Sequence, residues 1–170
     1  MGLKTILDSV YLAMPKYVTR TGVAADCATQ HAVDMFTISG GDILVLGMYG
    51  KVMAAKDAGA QLLTLQYTPT GGAVTALCLV SLTTATDAIN SIYTITGVAT
   101  DAMILTQIGA GAILGIGQFQ GNALGTIKSQ LVLAPGIINL LTTVANDITG
   151  LINWTVLYQP LNDSSLVTVL

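Results

Sequence analysis

The 170-residue chain has little charge: only 9% of its residues are charged, whereas 52% are hydrophobic and the mean hydropathy is +0.71. A soluble monomer carries about 25% charged residues. A chain this poor in ions either lies in lipid or has much of its surface covered by other protein. The net charge of −3 provides no basic field for phosphate groups, so we expect no nucleic-acid partner.

Glutamate is absent, because all nine acidic residues are Asp. Helix surfaces usually recruit Glu and Lys, whereas Asp favours caps and turns. Threonine lies beside Val, Ile and Leu in Thr75–Thr86 and Ser91–Gly97. Because β-branched residues fit the pleated surface of a sheet, the composition favours strands and turns over helices.

Histidine and cysteine are scarce: His31 is the only histidine, and the cysteines are Cys27 and Cys78. One histidine cannot form a His cluster for a metal, and no base accompanies a Ser or Cys nucleophile. The aspartates are scattered, whereas paired catalytic carboxylates or a calcium loop need acids close together. We therefore expect a non-enzymatic protein without metal or cofactor. The cysteines are expected to be buried free thiols, with a single disulfide as the alternative.

Two apolar stretches could be membrane spans. Ala102–Phe119 approaches the roughly 20 residues that cross a bilayer, but it contains Gln107 and several glycines. Leu131–Val144 is shorter and is interrupted by Pro135-Gly136, which fits a turn between two strands better. Neither stretch has basic flanks or an aromatic belt. We therefore expect no membrane span, and a small membrane protein of the holin type is the alternative.

Strand patterns separated by turns begin at about Asp34. In Gln61–Thr68, leucine and tyrosine alternate with threonine and glutamine, which is typical of a half-buried strand. Leu151–Asp163 is predicted to be a late core strand that is covered on both faces and stops pairing at Pro160. About nine to eleven strands without long helical patterns between them predict an all-β, antiparallel, jelly-roll-like sandwich.

Residues 1–30 differ from the rest of the chain. Apolar residues recur there at helical spacing up to Pro15, and little periodicity follows. We predict an N-terminal arm over residues 1–30, consisting of a short helix or extended segment and a linker, before a sandwich domain over residues 31–170. A first core helix explains the pattern equally well. The candidate arm contacts are Leu3, Ile6, Leu7, Tyr11 and Met14. The candidate core or interface residues are Phe36, Tyr49, Tyr67, Tyr93, Trp154 and Tyr158.

Three segments resemble small β-sandwich structural proteins of tailed bacteriophages, including head decoration or cement proteins. They are an early strand at Phe36–Gly40, a loop at Thr84–Asp87 and a terminal aromatic strand at Gly150–Leu161. The resemblance covers roughly residues 32–170 and implies a virion component, either a capsid decoration protein or a tail- or fibre-associated binding module. It implies no catalytic residues.

The low charge adds the expectation of extensive burial in an assembly. We therefore expect a homo-oligomer, with a trimer favoured, at the capsid surface of a virion. Its partners would be the major capsid protein or another virion protein, and assembly would take place in the host cytoplasm.

Overall fold

The structure, a computed structural model, describes residues 14–24, 31–55, 62–81, 87–106, 130–143 and 150–170. Among these residues the regular elements are all β-strands. The strands are β1 (Lys16–Ala24), β2 (His31–Ser39), β3 (Ile43–Ala54), β4 (Leu62–Pro69), β5 (Thr75–Ala76), β6 (Ile92–Thr94), β7 (Ile104–Thr106), β8 (Leu131–Leu133), β9 (Gly136–Thr143), β10 (Leu151–Pro160) and β11 (Leu166–Val169).

The strands form two packed antiparallel sheets, which we call sheet A and sheet B. Sheet A has the order β1-β10-β3-β6-β7, with β8 also paired to β3, and sheet B has the order β11-β2-β9-β4-β5. The pairs β1–β10, β2–β9, β3–β8 and β4–β5 form one folded ribbon of antiparallel strands. This nested pairing is that of a jelly roll, so the predicted fold class is confirmed.

The core lies between the two sheets and follows the alternation of the strands. Leu63 and Leu65 of β4 are fully buried, as are Ile152, Trp154 and Val156 of β10. Alternate side chains of a strand point to opposite faces, so these residues share the inner faces of the two sheets. Each large side chain buried in this way contributes about 1.5–3 kcal/mol of hydrophobic stabilisation.

Strand β1 corrects the predicted start of the sandwich domain. Residues 16–24, assigned above to the arm and linker, pair antiparallel with β10 at the edge of sheet A. Arg20 lies opposite Trp154, and a bulge separates it from Val23, with Gly22 at a φ of 66°. The bulge and the inward-directed arginine interrupt the alternation that would have indicated a strand. The sandwich therefore includes Lys16–Ala24.

One of the five predicted arm contacts lies within the described residues. Leu3, Ile6, Leu7 and Tyr11 lie outside the described residues. Met14, just before β1, is exposed.

The structure resolves one of the two apolar stretches into strands. Pro135 separates β8 from β9, so Leu131 to Thr143 forms two strands and a turn, as predicted. In the other stretch, Ile104–Thr106 is a strand, and residues 107–119 lie outside the described residues. Within the described parts of the chain, we find no helix with the length and apolar character needed to span a bilayer.

Candidate functional site: the outer faces of the sandwich

Of the six aromatic residues predicted for the core or an interface, five lie in the core and one lies on the outer side of a sheet. Five of them are buried in the hydrophobic core: Phe36, Tyr67, Tyr93, Trp154 and Tyr158. Tyr49 is half-buried and lies opposite Thr155 on the outer side of sheet A. Only Tyr49 is therefore placed where it could contribute to a surface site.

A buried polar pair lies beside the aromatic core. The Tyr93 hydroxyl donates a hydrogen bond to the carboxylate of Asp87, and both residues are fully buried. Trp154 stacks on Tyr93, and its Nε1 is buried without a hydrogen-bond partner among the described residues. Because Asp87 has no exposed surface, the pair does not present a carboxylate to substrate. Its effect is to tie the segment before β6 to the core.

The described cysteine is not activated for chemistry. Cys78 is a buried free thiol, and burial raises its pKa to about 11, partly offset by the hydrogen bond that the Leu65 amide donates to its sulfur. A thiol with so high a pKa is protonated at neutral pH and is a poor nucleophile. Cys27 lies outside the described residues, so the predicted state of that cysteine stays a prediction. Within the described ranges, no cluster of three or more His, Cys, Asp or Glu could hold a metal.

The outer face of sheet A exposes several large apolar side chains. We call it the A face. It comprises the side chains that alternate with core residues along the strands of sheet A: Tyr17, Thr19, Leu44, Tyr49, Lys51, Met53, Ile92, Thr94, Ile104, Val132, Leu151, Asn153, Thr155 and Leu157. Tyr17 is 75% exposed and Val132 59% exposed, and Met53 and Leu151 are also exposed. Lys51 is its one charged residue.

Polar groups on the A face bond to one another. The hydroxyls of Thr19 and Thr155 lie 2.8 Å apart on neighbouring strands, and the Gly22 amide donates to Asn153 Oδ1 at 2.8 Å. Cross-strand Thr pairs of this kind stabilise a sheet while reducing the number of polar groups that need water. The A face therefore combines exposed apolar side chains with polar atoms that are already partly satisfied.

The outer face of sheet B is the second candidate surface, which we call the B face. Its members are Ala32, Asp34, Thr37, Ser39, Leu62, Thr64, Gln66, Thr68, Ala76, Ile137, Asn139, Leu141, Leu166 and Thr168. Asp34 is its one charged residue and is exposed. Thr64 and Asn139 are buried in spite of facing outward, so the exposed part of this face lies towards β2 and β11.

The edge where β1 and β11 meet is closed against strand addition. Arg20 Nη1 of β1 donates to the main-chain oxygens of Asp34 and Leu170, which joins the edges of the two sheets. The Val167 amide of β11 donates to the hydroxyl of Tyr158 at 3.3 Å. Bulges and charged residues protect sheet edges from pairing with other chains. The outer faces, rather than this edge, are therefore the surfaces available for association.

The comparisons with known proteins found no match: no family model, curated protein or solved structure resembles this chain closely enough to be counted. Composition, topology and surface are therefore the features of the chain that bear on its function. Sequence reasoning missed Lys51 and Asp34 as candidate functional residues. The available signal was that each is the one charge within an otherwise uncharged strand pattern.

Proposed function

We propose that this chain is a non-enzymatic structural protein of a virus particle, a capsid decoration or cement protein that stabilises the shell through contacts between copies. The observation that carries the proposal is the A face, which exposes Tyr17, Met53, Val132 and Leu151 and carries one charge, that of Lys51. Exposed apolar patches on this scale are typical of surfaces that other protein covers.

The topology supports the proposal without deciding it. Jelly rolls occur in viral capsid proteins, and also in lectins and cupins, so the fold alone does not select a function. The charge content discriminates further, because a free-standing lectin or cupin domain needs a hydrated surface. With 9% charged residues, this chain is better suited to a position in which neighbouring subunits exclude water from its faces.

The proposal predicts that the chain is a stoichiometric part of a particle. Gradient-purified particles from cells that carry the gene should contain it at a fixed copy ratio to the major shell protein, measured by quantitative mass spectrometry. An abundant cytosolic protein of the host serves as the control for carry-over. Absence of the chain from the particles, or a ratio no higher than that control, would overturn the proposal.

A cement role makes a second, separate prediction. Particles assembled without the chain should open at lower temperature than complete particles, and adding the purified chain back should restore the opening temperature. A chain that is present in particles but leaves their stability unchanged would be a structural component of another kind, such as a tail- or fibre-associated module. The proposed oligomer is a trimer.

A further inference from the structure

We propose that copies of this chain associate face to back, with the A face of one copy packed on the β2–β11 side of the B face of the next, and that Lys51 of one copy pairs with Asp34 of its neighbour. The inference rests on the proposed self-association and specifies its geometry. The occupant of each face is thus a second copy of the same chain.

The distribution of charge is the first observation behind this pairing. The described residues include eight Lys, Arg and Asp residues. One of the eight lies on the A face and one lies on the B face. Lys16 and Arg20 lie at the edge of sheet A, and Asp42 and Asp163 lie in the connections at one end of the sandwich. Lys51 alone charges the A face, and Asp34 alone charges the B face.

The surroundings of the two charges also match. Lys51 lies opposite Asn153 in β10, and the exposed side chains of Met53 and Leu151 are close by on the same face. Asp34 lies opposite Asn139 in β9, and the exposed Leu170 lies near it, since the Leu170 amide donates to Met35 O at 3.1 Å. Lys51 thus has two exposed apolar neighbours, Asp34 has one, and the two charges have opposite signs.

Within one molecule these two charges cannot neutralise each other. Lys51 points outward from sheet A and Asp34 points outward from sheet B, so the thickness of the sandwich separates them. Sheets in a sandwich pack about 10 Å apart, and each side chain extends away from that interval. The pairing of Lys51 with Asp34 therefore needs two copies.

The alternative packings bury a charge without its complement. Packing an A face on an A face would cover Lys51 without bringing an acidic group from either face, and packing a B face on a B face would do the same for Asp34. Covering an unpaired charge is costly, whereas a paired charge fixes the register of an interface. The face-to-back arrangement is the one that gives each charge a partner.

The long strands of sheet A set the size of such a contact. β1, β10 and β3 have 9, 10 and 12 residues, so at about 3.3 Å per residue the face is roughly 30 Å long. β6, β7 and β8 have three residues each, and Ile92 and Thr94 of β6 are buried, so the full-length part of the face is three strands, or about 14 Å, wide. The projected area of about 400 Å² is about half of the roughly 800 Å² that each partner contributes to a standard interface, which corresponds to one of the smaller, weaker contacts. Face-to-back contacts also close into rings when the rotation between copies allows it, which is compatible with the proposed trimer.

A charge swap on the full chain tests the pairing. The variants are K51D, D34K and the double variant K51D/D34K, with D163K as a control that makes the same charge change as D34K in an exposed turn. Sedimentation velocity without detergent measures the association constant, and circular dichroism checks the fold. Each single swap should weaken association by about tenfold or more, the double swap should restore it to within about threefold of the wild type, and D163K should have little effect. The neutral variants K51Q and D34N provide a second test, because they should weaken association without adding repulsion.

Each outcome decides one point. A double swap no better than the sum of the single swaps overturns the pairing. Dissociation by K51D with no effect of D34K assigns the contact to two A faces and also overturns it. If the wild type associates but no variant changes the association, this inference fails and the proposed function stands. If the swap behaves as expected but particles lack the chain, the proposed function fails and the interface stands. A wild type that stays monomeric at every concentration overturns both the interface and the proposed function.

Discussion

Trp154 of β10 and Tyr93 of β6 stack across the strand that separates them, with ring centroids 6.3 Å apart and ring planes at 28°. Gly50 of β3 pairs with both residues, with Trp154 on one side and Tyr93 on the other. Neighbouring strands lie about 4.8 Å apart, so rings two strands apart can meet only if the position between them has no side chain. Gly50 therefore provides the space in which the largest aromatic pair of the core forms.

Replacing Gly50 with alanine should destabilise the protein through this contact. A methyl group at position 50 would lie 2.8 Å from Cε2 of Trp154, and Ile152 is nearly as close. Overpacking of this kind costs about 1–3 kcal/mol, so the free energy of unfolding, measured in urea, should fall by that amount. The control is G71A, which meets no atom but has a φ of 74° and should lose about 1 kcal/mol from backbone strain alone. A G50A variant as stable as the wild type would show that the stack is not packed as described.

Asn162 should stabilise the end of the sandwich that holds the β2–β3 and β10–β11 connections. Its side-chain oxygen accepts a hydrogen bond from the Ser164 amide at 3.2 Å and lies 3.0 Å from the Ser164 hydroxyl and 2.9 Å from the Ser165 hydroxyl. The Ser165 hydroxyl also lies 2.7 Å from Asp42 O, and Ser164 donates to Gly40 O. N162A should therefore lose about 1–2 kcal/mol of unfolding free energy.

Asp163 provides the matched control for that variant, because it is exposed in the same turn. D163A should change the unfolding free energy by less than about 0.5 kcal/mol. Equal effects of the two substitutions would contradict the assignment of the hydrogen bonds to Asn162.

Arg20 should protect the edge at which the two sheets meet. It donates to the main-chain oxygens of Asp34 and Leu170, and hydrogen bonds from a charged donor are worth about 1.5–3 kcal/mol. R20M keeps much of the aliphatic stem but removes the donors, so it should lower the melting temperature and increase aggregation on heating, measured by light scattering. R20K should lie between R20M and the wild type, since an ammonium group donates without the guanidinium geometry. An R20M variant that melts and aggregates like the wild type would show that the edge is closed by other means.

Cys78 should make the free energy of unfolding depend on pH in the alkaline range. Burial raises the pKa of this thiol from 9.0 to about 11, so above pH 9 the unfolded chain ionises it while the folded chain keeps it protonated. The stabilisation that the protonated thiol gives the folded state is thus fully present below pH 9 and is lost as the pH rises towards about 11. In a C27S background, unfolding free energy should fall by about 2–3 kcal/mol more over this interval than in C27S/C78A. Identical pH profiles of the two variants would contradict the burial of the thiol, and so would rapid alkylation of native C27S at neutral pH.

The fold was largely predictable because its strands follow simple patterns. The alternation in β4 and the turn at Pro135 were evident from sequence, and β10 ends at Pro160 as expected. Strand β1 was missed because the bulge after Arg20 shifts the alternation. The candidate site was harder to predict from the sequence, because Lys51 and Asp34 are recognisable as the single charges of two opposite faces only when strand order and register are known.

Coverage of the sheet faces by other copies of the chain is tested most directly by sedimentation equilibrium of the detergent-free chain over a wide concentration range. The wild type should have a mass that is a multiple of the 17.5 kDa monomer, and the double variant Y17N/V132T, which makes two exposed positions of the A face more polar, should shift towards the monomer. A wild type that sediments as a single 17.5 kDa species at every concentration would contradict the account.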